Sequence, residues 1–544
     1  MMIHYYIFNN GSRAAHYGIG TYVGQLTEAL RAVPDVRVIR VDLNAEVREF
    51  TVTTDDRGIT RYEVPSVRRG QEDKRVCRNV AHLLAPYVDP TVQNVFHFNY
   101  LHHYPLAMAL KVRFMSARVV LAVHYLGWCF SLNGNVSRFR AIIAGSEADG
   151  QATDAAMAEG IRAEFARDGK FMHLADYVVA LSDWCRRLLT ADYGLSPDKV
   201  QLVRNGLADA APAAAGNGPD DGTKWILFVG RLDAIKGTEY LFDAFREVLR
   251  THPEARLAVV GDGDYNACLK HCAECWHRVT FTGHLSPEQL AGFYGRAAVG
   301  VLPSFHEQCS YSAIELMRHG IPFVGTDSTG LREMLEPVGS ELCVSIDEAH
   351  FSAPDFTRQL ARRLSHLLDH AALRRQAGRT LREQYLSHYT LTAMTSGMTG
   401  LVGACRSAQA GPGVPPDMLP QLDGGMVSLV HRRPDIDAGF YGLAGVGTYL
   451  WWRMQQVGTT DEARYYYLAE YLIYFIDWLA DVALADPSVM FGPELSATLR
   501  HMRQQRFYTL RLEPLLAHCS PAPAAAPGAE HIVGNALRIV QDEI

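Results

Sequence analysis

Short apolar runs, rich in β-branched and aromatic residues, recur along the first three quarters of the chain. IHYYIF (3–8), VRVIRVD (36–42), NVFHF (94–98), VVLAVH (119–124) and YVVAL (177–181) come first. Longer stretches with helical periodicity separate them, such as YVGQLTEALRAV (22–33). That alternation predicts a parallel sheet covered by helices on both faces. DAAPAAAGNGPDDG (209–222) has no apolar period and reads as a linker. The alternation then restarts with WILFVG (225–230), RLAVVG (256–261), VTFTG (279–283), VGVLP (299–303) and IPFVG (321–325). Two Rossmann-like α/β domains follow from this, over 1–208 and 224–406. The second closes with long Arg- and Leu-rich helical segments between Phe356 and Val402. A Pro- and Gly-rich stretch (407–425) precedes a third segment, 426–544. Its runs FYGLAGVGTYLWWRMQQ and ARYYYLAEYLIYFIDWLADVAL predict a helical appendage.

Composition narrows the class. The chain has 544 residues, 48% of them apolar and 20% charged, with a net charge of −7. Several soluble domains fit; a general nucleic-acid binder, which needs a basic surplus, does not. MMIHYYIFNN lacks a basic region before a long apolar run and reads as a first strand, not a leader. The stretch from Tyr465 to Ala485 is broken by Glu470, Asp477 and Asp481, so it predicts an amphipathic helix and no membrane span. Ten scattered cysteines are simplest as reduced thiols of a cytoplasmic enzyme.

The densest candidate chemistry lies in the second domain. VLPSFHEQCSYSAIELM puts Glu307 in a loop after an apolar strand and Glu315 eight positions on, in a helix. A helix starting near Ser312 would gather the amides of Cys309, Ser310 and Tyr311 at its positive end, an anion site suited to a diphosphate. The two carboxylates could accept hydrogen bonds from sugar hydroxyls. Alone, they also fit two solvated acids at a helix start. WILFVGRLDAIKG adds Arg231 and Lys236 at the C-terminal edge of a parallel sheet, beside Gly230 and Gly237. Two cations there could neutralise a leaving diphosphate without a metal.

On these residues the chain resembles glycosyltransferase family 4, of the two-domain GT-B architecture. The resemblance rests on GRLDAIKG, on the E-x7-E run HEQCSYSAIE, and on HLADYVVALSDWCRRLL with YGLSPDKVQLVRNGL at the domain junction. It spans about residues 1–400. It implies retaining transfer from a nucleoside diphosphate sugar, without metal or other cofactor. Arg231 and Lys236 would hold the diphosphate, Glu315 the ribose and Glu307 the sugar hydroxyls. Gly18 and Gly20, in HYGIGTY, would let backbone approach the donor from the first domain, and His124 would line the reaction centre. Arg13, His102 and His103 are further neighbours expected for the acceptor.

One departure bears on specificity. Where many relatives have Glu-Gly-Phe-Gly, this chain has Glu307, Gln308, Cys309, Ser310. Two other signals look like metal sites. Asp262 and Asp264 form a DxD, but after a strand where this family has Gly-Asp-Gly. Cys268, Cys272 and Cys275 match an iron–sulfur spacing, but late in the chain and on a helical pattern. No metal is expected from either. A sugar-nucleotide sensor or epimerase on the same scaffold is the alternative. The appendage run GFYGLAGVGTYLWW resembles glycine-rich helix starts of lanthionine-cyclase-like barrels, which suggests a peptide or protein acceptor. Its aromatic residues suggest assembly into an oligomer.

Overall fold

The computed structural model describes residues 2–11, 18–66, 74–89, 91–114, 117–146, 155–210, 222–346 and 351–407. Arg13, most of the first linker, the second linker and the whole 426–544 appendage lie outside them. So do the expectations of a peptide acceptor and an oligomer that rested on the appendage.

The first domain is built on an eight-stranded sheet. Its order is Thr51–Thr54, Thr60–Pro65, Val36–Ala45, Ile3–Asn10, Gln93–Phe98, Arg118–Val123, Tyr177–Ala180, Val200–Leu202. Every pairing is parallel except that of the edge strand Thr51–Thr54. Ile3–Asn10 and Arg118–Val123 are buried along their whole length, as strands covered on both faces must be. The second domain carries six parallel strands: Val279–Gly283, Ala255–Val260, Lys224–Val229, Ala297–Leu302, Phe323–Thr326, Cys343–Val344. The expected doubly wound pair of domains is therefore observed. The short Val200–Leu202 and Cys343–Val344 strands and the Thr51–Pro65 hairpin had no strong apolar alternation to announce them.

Each sheet reverses its winding once, between Ile3–Asn10 and Gln93–Phe98 in the first domain and between Lys224–Val229 and Ala297–Leu302 in the second. Ligands of open α/β sheets sit outside the strand ends at such points.

The domain boundary differs from the sequence reading in one respect. Helix Leu391–Ser407 crosses back and packs on helix Gly18–Arg31 of the first domain. Met394, Met398, Leu401 and Val402 join Tyr22, Val23 and Leu26 in one buried cluster, and the Tyr177 hydroxyl donates to the Ala404 carbonyl at 3.0 Å. The residues just before the linker are tied to the same region: Leu207 N donates to Tyr389 O at 3.0 Å, and Leu391 N to Leu207 O at 2.6 Å.

Buried histidines give the fold an acid limit. Burial lowers His97 and His124 to about 3, and His173, His306 and His319 to about 4. Unfolding at pH 5 lets each take up a proton, so their contribution is present above about pH 6.5 and fades as pH falls toward 4. Asp168, raised by burial to about 7, and Glu315, also raised by burial, act in the opposite sense, but they are two groups against these five. Each unbalanced proton weighs about 1.4 kcal/mol per pH unit. The melting temperature should fall steadily from pH 6.5 to pH 5 in a calorimetric scan; a rise over that interval would contradict the assignment.

Candidate functional site

The loops after Lys224–Val229 and Ala297–Leu302 are laced together at the second domain's switch point. Phe305 N donates to Ile235 O at 2.8 Å. Gly237 sits at φ 65°, where an added Cβ would lie 2.2 Å from the Pro303 carbonyl oxygen. Only glycine fits both the left-handed backbone and that approach. This lacing brings Lys236 Nζ to 2.6 Å from Glu307 Oε1. Ser304 Oγ donates to the same oxygen at 2.9 Å. The two charges are mostly buried, with side-chain exposures of 20% and 11%. A pair held so by a hydroxyl and two tied loops is already ordered for a ligand.

Arg231 does not join them. It pairs with Asp233 at 2.9 Å on the rim of the same loop, with 37% of its side chain exposed. The neighbouring Gly230 is not the glycine that the packing demands. That is Gly261, at φ 134°, whose Cβ would fall 2.0 Å from the Gly230 carbonyl oxygen.

Helix Tyr311–Arg318 begins one residue earlier than its sequence suggested. Ser310 is its N-cap, accepting from Ala313 N at 3.4 Å. The amides of Cys309 and Ser310 therefore precede the helix, and Ala313 N is already taken. Cys309 is 7% exposed, and its carbonyl accepts from Asn205 Nδ2 at 2.7 Å. Burial pushes its thiol up to about 12, so it is a packing residue rather than a nucleophile. The Tyr311 hydroxyl is buried, and burial raises its phenol well above the usual range.

Glu315 lies one turn into this helix. The Tyr294 hydroxyl donates to its Oε2 at 2.5 Å, and His319 stacks on the Tyr294 ring at 4.7 Å. Burial raises the Glu315 carboxyl; Tyr294 and Arg318 pull the other way. Nothing in the linear sequence pointed to Tyr294, which reaches Glu315 only through the fold.

On the first domain, His124 follows the buried strand Arg118–Val123. Its Nε2 lies 3.1 Å from Asn99 Oδ1, while Asn99 Nδ2 donates to the Phe8 carbonyl at 3.0 Å. The second bond fixes the Asn99 amide, so Nε2 carries the proton and Nδ1 keeps a lone pair. Burial holds the ring neutral, and Tyr22 packs against it edge-on at 4.4 Å. Gly18 and Gly20 lie in the first turn of helix Gly18–Arg31. An added Cβ at Gly18 would meet nothing within 4 Å, so the protein's own packing does not require glycine there. His102 Nε2 lies 3.2 Å from Asn10 Nδ2 at the strand ends. His103, expected as its neighbour toward an acceptor, is instead 1% exposed among the rings of Phe98 and Tyr100.

The metal-like motifs have structural partners. Asp262 accepts from the Tyr265 hydroxyl at 2.8 Å, and Asp264 caps helix Tyr265–His271. Cys268, Cys272 and Cys275 are buried in the second domain's core. Among the described residues no cluster of three or more His, Cys, Asp or Glu has metal-binding geometry.

Comparison with known proteins agrees with this fold. The family profile for glycosyl transferases group 1 matches residues 223–370, and that for the glycosyl transferase 4-like domain matches residues 17–206. A glycosyltransferase of Methanocaldococcus jannaschii is 29% identical over 32% of this chain and 50% of its own length. A glycogen synthase of Mycobacterium tuberculosis is 27% identical over 48% of this chain and 59% of its own. The chain thus spans about half the length of the curated relatives it matches. Among solved structures, sucrose-phosphate synthase from Thermosynechococcus elongatus superposes with a TM-score of 0.58 at 21% identity, over 75% of this chain and 100% of that one.

Proposed function

The chain belongs to the GT-B glycosyltransferases of family 4, and we propose that it moves a glycosyl group from a nucleoside diphosphate sugar to an acceptor with retention of configuration. The observation that carries this reading is the Lys236–Glu307 pair at the second domain's switch point. A donor diphosphate arriving there would draw Lys236 from Glu307 and free that carboxylate for sugar hydroxyls. Arg231 adds a second cation at the rim. Amides ahead of helix Tyr311–Arg318 add donors to the phosphate oxygens. Glu315, held by Tyr294, accepts from the ribose hydroxyls.

Across the cleft, neutral His124 offers Nδ1 to a hydroxyl of the reacting sugar. Gly18 and Gly20 leave room for backbone to near the diphosphate. With the donor bound, Glu307 is occupied by Ser304 and the sugar hydroxyls rather than left as a nucleophile, which favours a same-face displacement over a covalent intermediate. The acceptor hydroxyl attacks the anomeric carbon as the bond to the diphosphate oxygen breaks. Its proton passes to that leaving oxygen, and Lys236 and Arg231 stabilise the charge that builds there.

The test is incubation with a panel of uridine, guanosine and adenosine diphosphate sugars and candidate acceptors. Release of nucleoside diphosphate and an α-anomeric product from an α-donor support the reading; binding without turnover favours a sensor. The two cations take the place of a divalent ion, so a chelator should leave the rate unchanged. Activity lost to chelator and regained with magnesium or manganese would reverse that expectation.

A further inference from the structure

The helix that grips the backbone of Glu307 also reaches into the other domain. Thr329 opens helix Thr329–Leu335. Its Oγ1 accepts from Glu307 N at 2.9 Å and donates to Glu307 O at 2.7 Å. Gly330 N donates to the same carbonyl at 2.9 Å. Thr329 holds φ 38°, an unfavourable left-handed value for a β-branched residue, so the surrounding contacts must enforce it.

One turn further along, Glu333 leaves the domain. Its Oε2 accepts from Asp183 N and its Oε1 from Trp184 N, each at 3.1 Å. These are the first two residues of helix Asp183–Ala191 in the first domain. A carboxylate spanning two free amides at a helix N-terminus is favoured by both hydrogen bonding and the helix dipole. Arg204 stands 3.5 Å from Oε2. The Trp184 ring meets His306, the neighbour of Glu307, edge-on at 5.8 Å. A crevice of about 1010 Å³ runs beside this clasp, lined by Asp183, Trp184, Arg204, Thr329 and Glu333 among others.

We propose that Glu333 is a positioning residue: its clasp on helix Asp183–Ala191 transmits the domain contact through Thr329 and Gly330 to the backbone of Glu307. Closure of the domains then sets the carboxylate that meets the donor. The donor role of Glu307 comes from the proposed function; the mechanical link does not depend on it.

Hydrogen exchange on the full chain tests the link directly. In Glu333→Ala the amides of Asp183 and Trp184 should exchange faster. The amides of Glu307 and Gly330 should also quicken, by about 10-fold or more. Strand Ala255–Val260 should not change. Glu333→Gln keeps one acceptor oxygen and should fall between the parent and Glu333→Ala; it decides the matter if the alanine variant does not fold. Faster exchange at 183–184 with Glu307 and Gly330 unchanged would reduce Glu333 to a helix cap and overturn the proposal. Kinetics add a second readout. Coupling raises the donor KM and lowers kcat, with partial recovery in Glu333→Gln. A lowered kcat at unchanged KM, matching a smaller folded fraction, would also overturn it. Should the parent turn over no nucleotide sugar, the functional reading fails while the exchange data still judge the link.

Discussion

Lys236→Ala should lower glycosyl transfer about 100- to 1000-fold while leaving a folded protein, because the proposed mechanism places its charge where the diphosphate departs. Removing one preorganised donor from such a site typically costs about 2.7–4 kcal/mol of transition-state stabilisation. The loss here has two parts. The leaving oxygen loses a cation, and Glu307 keeps its charge with only Ser304 on Oε1. An unpaired carboxylate near the diphosphate then repels the donor it was meant to orient. Arg231→Ala should also be severe, but it removes a rim residue whose partner Asp233 is itself 36% exposed, so less repulsion is unmasked. The measurement is nucleoside diphosphate release at saturating donor, with circular dichroism to verify folding. Near-parent turnover in both variants would remove the assignment of this site.

Much of the architecture was legible because it follows from burial. Strands covered on both faces must be apolar throughout, so each core strand announced itself as a run such as IHYYIF or VVLAVH. Elements with less burial were silent: Thr51–Thr54 is an edge strand with mostly exposed residues, and no run marks it. The return of Leu391–Ser407 to the first domain could not be read either, since an apolar helix face does not say which partner it meets.

The site divides in the same way. Lys236, Glu307 and Glu315 were visible because their spacing sits at strand ends and a helix start. Their supports were not. Tyr294 holds Glu315 from 21 positions away, and Thr329 holds Glu307 from 22. Those distances have no periodic signature. His103 misled for a related reason: it neighbours His102 in sequence, yet its side chain turns into the core. The helix start was legible only to within a residue because Ser310 and Ser312 are both good caps, and the bond from Ala313 N to Ser310 decides for Ser310.

Gly330→Ala should weaken donor binding about 100-fold, whereas Gly292→Ala, the same change 38 positions earlier, should be harmless or stabilising. The contrast comes from what the added methyl meets. At Gly330 an added Cβ would lie 1.9 Å from the Gln308 carbonyl oxygen and 2.9 Å from that of Glu307. Both are backbone atoms of the loop that carries Glu307, so no side chain can swing aside. That loop is held on its other side, where Phe305 N bonds Ile235 O and Asn205 bonds Cys309 O. Either helix Thr329–Leu335 withdraws and loses the Gly330–Glu307 bond, or Glu307 leaves Lys236. The backbone at Gly330 has no positive φ, so the whole cost is steric. Overpacking of this kind costs about 1–3 kcal/mol of stability. Its effect on a site that needs near-ångström placement is larger, a fall in donor affinity of about 100-fold. At Gly292, inside helix Pro287–Tyr294, the same methyl meets nothing within 4 Å. There alanine should gain about 0.5–1 kcal/mol from reduced backbone entropy. Calorimetric titration with a nucleoside diphosphate sugar and thermal melts of both variants check the pair. Undiminished binding by Gly330→Ala would mean that Glu307 does not depend on this helix.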